Sequence, residues 1–228
     1  MMQRRNMILG GFAVLGLGGW ALTSNLGGGS RSTELPNLAG AANAQTTSGD
    51  FDTSSITDMV LGNPDADVTV VEYASFTCPH CADFHSGAFK QLKADFIDTG
   101  KIKFIYREVY FDRPGLWASM IARCGGQEKF FGIADLIYKG QSNWARAGEP
   151  AAIVNELRKI ARLAGIDNDT IEACLQDAEN AQTLVAWFEE NKNRDDITST
   201  PSFLINGTKK SNMPYAEMKA LIDAEMGS

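Results

Sequence analysis

The chain has 228 residues, 44% of them apolar and 21% charged, a globular balance that allows one domain with an insertion or two small ones. A formal net charge of −7 argues against general nucleic-acid binding and favours solubility. Four cysteines, an even number, suit an oxidising compartment, and with two histidines they leave few metal ligands.

Arg4 and Arg5 precede an apolar run over residues 7–22, the layout of an export signal. The run is short of the ~20 residues of a membrane span. Gly10, Gly11, Gly16, Gly18 and Gly19 weaken it further as a helix. Ala42-Asn43-Ala44 has the small-x-small form of a cleavage site. Cleavage there, or retention of residues 7–22 as an inner-membrane tether, would place the remaining chain outside the cytoplasm in either case. The paired arginines and glycine-rich run also fit export in the folded state. Residues 1–44 are thus expected to be signal peptide or anchor plus linker, and residues 45–65 an N-terminal extension. Residues 23–50, rich in Gly, Ser, Thr, Asn and Ala, read as a disordered linker. A short helix is expected near 54–59, before Gly62-Asn63-Pro64 breaks the chain.

Residues 68–73 are apolar almost throughout, as in a buried central strand. Glu72 interrupts them, either as a strand-end carboxylate reaching water or as a buried acid beneath the segment Phe76-Thr77-Cys78-Pro79-His80-Cys81. The strand delivers Cys78 to a helix start, where unpaired N–H groups and the dipole favour an anion. Pro79 suits the first helical position because it has no N–H to leave unpaired. His80, if protonated, would add a positive charge beside the sulfur. Each effect lowers the pKa of Cys78, and the thiolate is the reactive form. Cys81, one turn on, can close a disulfide with it, so the pair reads as a redox site. Zinc would need further ligands; His85 lies one turn past Cys81, but no fourth ligand is evident and no metal is expected. The helix should run to about residue 96, with Phe84, Phe89, Leu92 and Phe96 at helical spacing, and residues 101–111 form a second, parallel strand.

Helical pattern then holds from Pro114 to about Arg194, with candidate helices at 116–124, 128–138, 150–164 and 170–177, the last continuing to 191. Phe130-Phe131 and Trp187-Phe188 read as its core. Cys124 and Cys174 lie on two of these helices. A free buried cysteine is a small hydrophobe; in an oxidising compartment a structural disulfide between them is the expectation. Strand signal returns at 202–206 after Thr200-Pro201, followed by a turn, a short edge strand and a closing helix from Pro214.

These features together resemble the DsbA family of periplasmic thiol:disulfide oxidoreductases, from about Gly62 to the end. The matching stretches are Phe76 to Cys81, the helical insertion, and Thr200-Pro-Ser-Phe-Leu-Ile-Asn-Gly207 before the terminal helix. The resemblance implies an α/β, thioredoxin-like fold with an all-helical insertion domain: residues 66–112 and 195–228 form the thioredoxin part and residues 113–194 the insertion. It makes Cys78 the exposed nucleophile, Cys81 its buried partner, and Pro201 a cis-proline facing them. Thr200 would offer main-chain contacts to a peptide, and Glu72 would be the buried acid. The lysine that the family pairs with this acid has Lys103 as its candidate here. Threonine before the proline departs from the valine of the enterobacterial prototype and resembles isomerase-type members. The implied partners are reduced or unfolded secreted proteins and a quinone-linked membrane protein of DsbB type that restores the disulfide. A monomer without cofactor, binding no nucleic acid, is expected.

Overall fold

Val68, Val70, Val71 and Tyr73 are all buried, which is why their strand, β2 (Val68–Ala74), takes the centre of the sheet. The computed structural model describes residues 51–227; the export-signal features, cleavage motif and linker of residues 1–50 lie outside the described residues. Strand β2 runs parallel to β3 (Ile102–Glu108), from Val68 opposite Ile102 to Ala74 opposite Glu108. On its other side it pairs antiparallel with β4 (Ser202–Ile205), which pairs in turn with β5 (Thr208–Ser211). With β1 (Met59–Gly62) antiparallel to β3, the order is β1-β3-β2-β4-β5.

Strand β1 replaces the helix expected near 54–59. Thr53–Ser55 form only a 3-10 turn, capped by the Asp52 side chain, before the chain extends along β3. Gly62 closes that strand at φ +82°, where a Cβ would lie 2.3 Å from the Ile102 carbonyl oxygen, so glycine is required.

The crossover from β2 to β3 is α1 (Pro79–Ser86), α2 (Ala88–Leu92) and a wider π turn over Lys93–Ile97, rather than one continuous helix. Gly87 makes the break, and its N–H returns to the carbonyls of Asp83 and Phe84. Phe84, Leu92 and Phe96 are buried, with the Phe84 ring 4.9 Å from that of Phe203 on β4.

The insertion comprises α3 (Arg113–Cys124), α4 (Gly126–Lys139), α5 (Gln141–Trp144), α6 (Pro150–Leu163), α7 (Asn168–Gln176) and α8 (Ala178–Arg194). The helix expected to run unbroken from 170 to 191 is two, because Asp177 accepts the Asn180 N–H and starts α8 afresh. Asp112 and Asp167 cap α3 and α7 in the same way, each cap contributing about 1 kcal/mol. Phe130, Trp187 and Phe188 are buried, packing the insertion as expected of core aromatics. A disulfide joins Cys124 on α3 to Cys174 on α7.

An ion pair inside the protein ties the insertion to the sheet. Glu108, buried at the end of β3, accepts from Arg123 Nε and Nη2 at 2.6 and 2.7 Å and from the Ser119 hydroxyl at 3.0 Å. The guanidinium also lies over Trp187 and Phe130, 5.1 and 5.9 Å from their ring centres. Helix α9 (Tyr215–Met226) closes the chain, burying Met218 and Ile222.

Candidate active site

Leaving β2, the chain turns so that the Cys78 N–H bonds the Ser75 carbonyl at 3.1 Å, and α1 starts at once. Cys78 is the N-cap residue in extended conformation, and Pro79 opens the helix. Cys78 is half-buried and Cys81 fully buried; both are free thiols. From the other side, the loop before β4 brings Thr200 and Pro201, joined by a cis peptide bond. The Thr200 carbonyl oxygen is 3.5 Å from Cys78 Sγ. Thr200 Oγ1 is buried with no hydrogen-bond partner, leaving its O–H free to turn to that sulfur.

The two thiols are driven in opposite directions. A hydrogen bond from the Cys81 thiol pulls Cys78 down to about 5; burial opposes this, and the Thr200 hydroxyl and the N–H groups of Cys81 and His80 reinforce it. Burial pushes the Cys81 thiol up, helped by its bond to Cys78 and by the nearby Glu72 charge, against the Ser75 backbone. Cys78 thus carries the negative charge and Cys81 keeps its proton. His80 and Pro79 are exposed, and His80 acts on the sulfur through its main-chain N–H.

Glu72 is completely buried. Its carboxylate oxygens lie 3.0 and 3.1 Å from His85 Nε2, a partner that no sequence signal marked. Lys103, the expected partner, sits opposite Thr69 on β2 and Gly62 on β1 instead. The His85 ring stacks on Tyr138, 4.3 Å between centres at 18°. The Tyr138 hydroxyl meets that of Tyr106 at 2.6 Å and donates to the Ser75 carbonyl at 3.3 Å.

Gln141, on α5 of the insertion, is a second residue without a signal in the sequence. Its buried Nε2 donates to the carbonyls of Phe76 and Cys78 at 2.8 and 2.9 Å, holding the turn that presents the cysteine. A groove of about 520 Å³ runs from Thr77 and Pro79 past Tyr138 and Gln141 to Arg146. The Cys124–Cys174 bridge lies within the insertion, between α3 and α7. Among the described residues, no group of three or more His, Cys, Asp and Glu side chains is placed to hold a metal ion.

A thioredoxin family model matches residues 54–224. The putative protein-disulfide oxidoreductase of Rickettsia bellii is 37% identical over 167 residues, which cover 73% of this chain and 63% of that protein. The chain therefore spans less than two thirds of the length of such relatives. Disulfide bond formation protein D of Bacillus subtilis is 28% identical over 175 residues, covering 73% of this chain and 76% of that one. The crystal structure of Wolbachia pipientis alpha-DsbA1 superposes with a TM-score of 0.70 at 29% identity, covering 75% of this chain and 92% of the other. The chain belongs to the thioredoxin family as a DsbA-like member.

Proposed function

We propose that the chain is an exported thiol:disulfide oxidoreductase that donates a Cys78–Cys81 disulfide to cysteine pairs of secreted proteins. The observation that carries the reading is the opposed pull on the two thiols, with Cys78 lowered to about 5 beside a buried Cys81 that holds its proton. A thiolate exists only in the reduced protein. Stabilising it makes the disulfide ready to accept electrons, by about 30 mV for each pKa unit below ambient pH.

In the forward reaction a substrate thiolate attacks the accessible Cys78 sulfur, and Cys81 leaves. The substrate's second thiolate then attacks its own sulfur in the mixed disulfide, and Cys78 departs as a stabilised anion. Substrate loses two electrons and the protein gains them. The Thr200 carbonyl, beside the sulfur, would accept an N–H from an extended peptide laid along this edge, with Pro201 forming the floor. Pro79 and His80 shape the helix start, and Glu72 supports the charge balance beneath it. Reoxidation falls to a quinone-linked membrane protein of DsbB type, and the setting is the periplasm. Among the described residues, no helix is long and apolar enough to cross a membrane.

The test is to mix oxidised protein with a reduced, unfolded disulfide protein and count substrate thiols. Two thiols lost per protein molecule, abolished by Cys78→Ser, is the expected result. Unchanged thiols, together with a potential below that of glutathione, would reassign the site to reduction.

A further inference from the structure

The buried half of the redox pair has a proton problem. When Cys78–Cys81 opens, the electron pair ends on a sulfur at 0% exposure, and that sulfur must gain a proton. When the disulfide is remade, the same proton must leave before Cys81 can attack. Cys78 is half-buried and reaches solvent; Cys81 does not. Glu72 is the charged group whose field raises the Cys81 thiol most, but it too is at 0% exposure and has no water-facing edge.

His85 is placed on both sides of this barrier. When its Nε2 carries the ring hydrogen, it donates to both oxygens of the Glu72 carboxylate. Its Nδ1 has no protein partner. Yet, among the described residues, only Trp117 Nε1 and Thr200 Oγ1 are buried side-chain atoms without a hydrogen bond, so Nδ1 reaches accessible space. The His85 side chain borders a cavity of about 30 Å³, enough for a water, together with Ala82, Ser86, Tyr138 and Lys139. Ser86, Lys90 and Lys139 on its rim are exposed, so the cavity meets the surface. The ring is held flat against Tyr138 and edge-on to Tyr106, which fixes its plane.

We propose that His85 is the proton conduit of this site, passing a proton between solvent and Glu72 so that Cys81 gains or loses one in each half-reaction. The proposal rests on the oxidoreductase reading above. In the reductive direction, cavity water gives a proton to Nδ1, Nε2 gives one to Glu72, and the carboxyl supplies the departing Cys81 sulfur. In the oxidative direction, Cys81 yields its proton to Glu72, Glu72 passes one to His85 Nε2, and Nδ1 releases one to water. The Cys81 thiolate then attacks Cys78 in a mixed disulfide, the foreign sulfur leaves with the electron pair, and Cys78–Cys81 is restored. The groups that bias the imidazole are Glu72 from β2, Tyr106 from β3, Tyr138, Asp135 and Lys139 from α4, and Lys90 from α2, with Cys81 one turn earlier on its own helix.

The experiment uses the glutathione mixed disulfide at Cys78, formed with oxidised glutathione and followed by rapid alkylation and mass spectrometry. His85→Gln keeps an N–H for Glu72 but cannot carry a proton through. It should resolve the adduct ~10- to 100-fold more slowly, a fraction of what general acid–base groups contribute. The pH dependence seen in the native protein should flatten, while the Cys78 thiolate still titrates as before. If His85→Gln does not fold, Glu72→Gln/His85→Gln removes the buried charge as well and should be equally slow. Adduct resolution at the native rate with the native pH profile in the folded variant would overturn the conduit. A native protein that forms no adduct and oxidises no dithiol would instead overturn the oxidoreductase reading.

Discussion

Cys78 Sγ and the carbonyl oxygen of Thr200 lie 3.5 Å apart across 122 residues of sequence. The contact sets a reacting sulfur, a peptide acceptor and a hydroxyl side by side. The carbonyl cannot stabilise an anion. The hydroxyl can, and because it is buried with no hydrogen-bond partner, its whole donor capacity is available to the sulfur.

Thr200→Val keeps the shape and removes that donor. The Cys78 thiol, held at about 5, should rise by about one unit, in line with a hydrogen bond to a charged group worth ~1.5–3 kcal/mol. Thiolate ultraviolet absorbance against pH measures it, and the disulfide should become correspondingly less oxidising. An unchanged titration would mean the hydroxyl turns elsewhere.

The couple's potential should also change slope with pH. Cys78 is a thiol whose folded value is lowered, so the stability it lends the reduced state is lost as pH falls through about 5. Below that point reduction takes up two protons, and the potential should fall ~60 mV per pH unit; above it one proton is taken up, and the fall should be ~30 mV. Cys81, pushed up by burial, stays protonated across the range. Equilibration with glutathione at a series of pH values shows where the slope breaks; a break above pH 7 would refute the assignment.

Local features carried much of this site in the sequence. The apolar run of β2, Pro79 after Cys78 and the helical spacing beyond specify a strand, a cap and a helix start without help from the rest of the chain. What was illegible depends on distant packing. His85 reads as one more residue on a helix, and only the folded sheet brings Glu72 beneath it. Gln141 sits 63 residues from the cysteine it supports, on a four-residue helix too short to leave a periodic pattern. Strand β1 is equally short and gains its pairing only once β3 is in place. The break at Asp177 was written locally, as an aspartate three residues before Asn180, but apolar periodicity runs through it and masks the cap.

The bridge between Cys124 and Cys174 spans 50 residues of the insertion. Reduction mild enough to open only Cys78–Cys81 should leave it intact by mass spectrometry. Replacing both of its cysteines by serine should lower unfolding free energy by up to about 4 kcal/mol on the chain-entropy account of a loop this long. Urea unfolding with the Cys78–Cys81 pair kept oxidised gives the figure.

Arg123→Met should be among the most damaging single changes. It leaves the Glu108 carboxylate buried with the Ser119 hydroxyl as its remaining side-chain donor. Removing one partner of a buried pair costs ~3–5 kcal/mol. The double change Arg123→Met/Glu108→Gln should recover part of it, because the uncompensated charge is gone. A double variant no better than the single would show that the cost lies in lost packing over Trp187 and Phe130.

Gln141 holds the active-site turn from outside the thioredoxin part. Its Nε2 satisfies the Phe76 carbonyl and shares the Cys78 carbonyl, which also accepts the Ala82 N–H at 3.2 Å. Gln141→Leu fills similar space but leaves the Phe76 oxygen without this donor, at a cost of ~1–3 kcal/mol for a buried unsatisfied group. The Cys78 oxygen keeps its helical bond, so α1 itself should survive. The loss should therefore be local: faster amide exchange at Phe76, Thr77, Cys78 and His80, unchanged exchange from 82 onward, and slower attack on Cys78 because the sulfur is less firmly placed against Thr200. Gln141→Glu, which offers oxygens to two carbonyls, should be worse than leucine. Exchange that rises equally along the whole of α1, or leaves the turn untouched, would mean that the turn is held by the sheet alone.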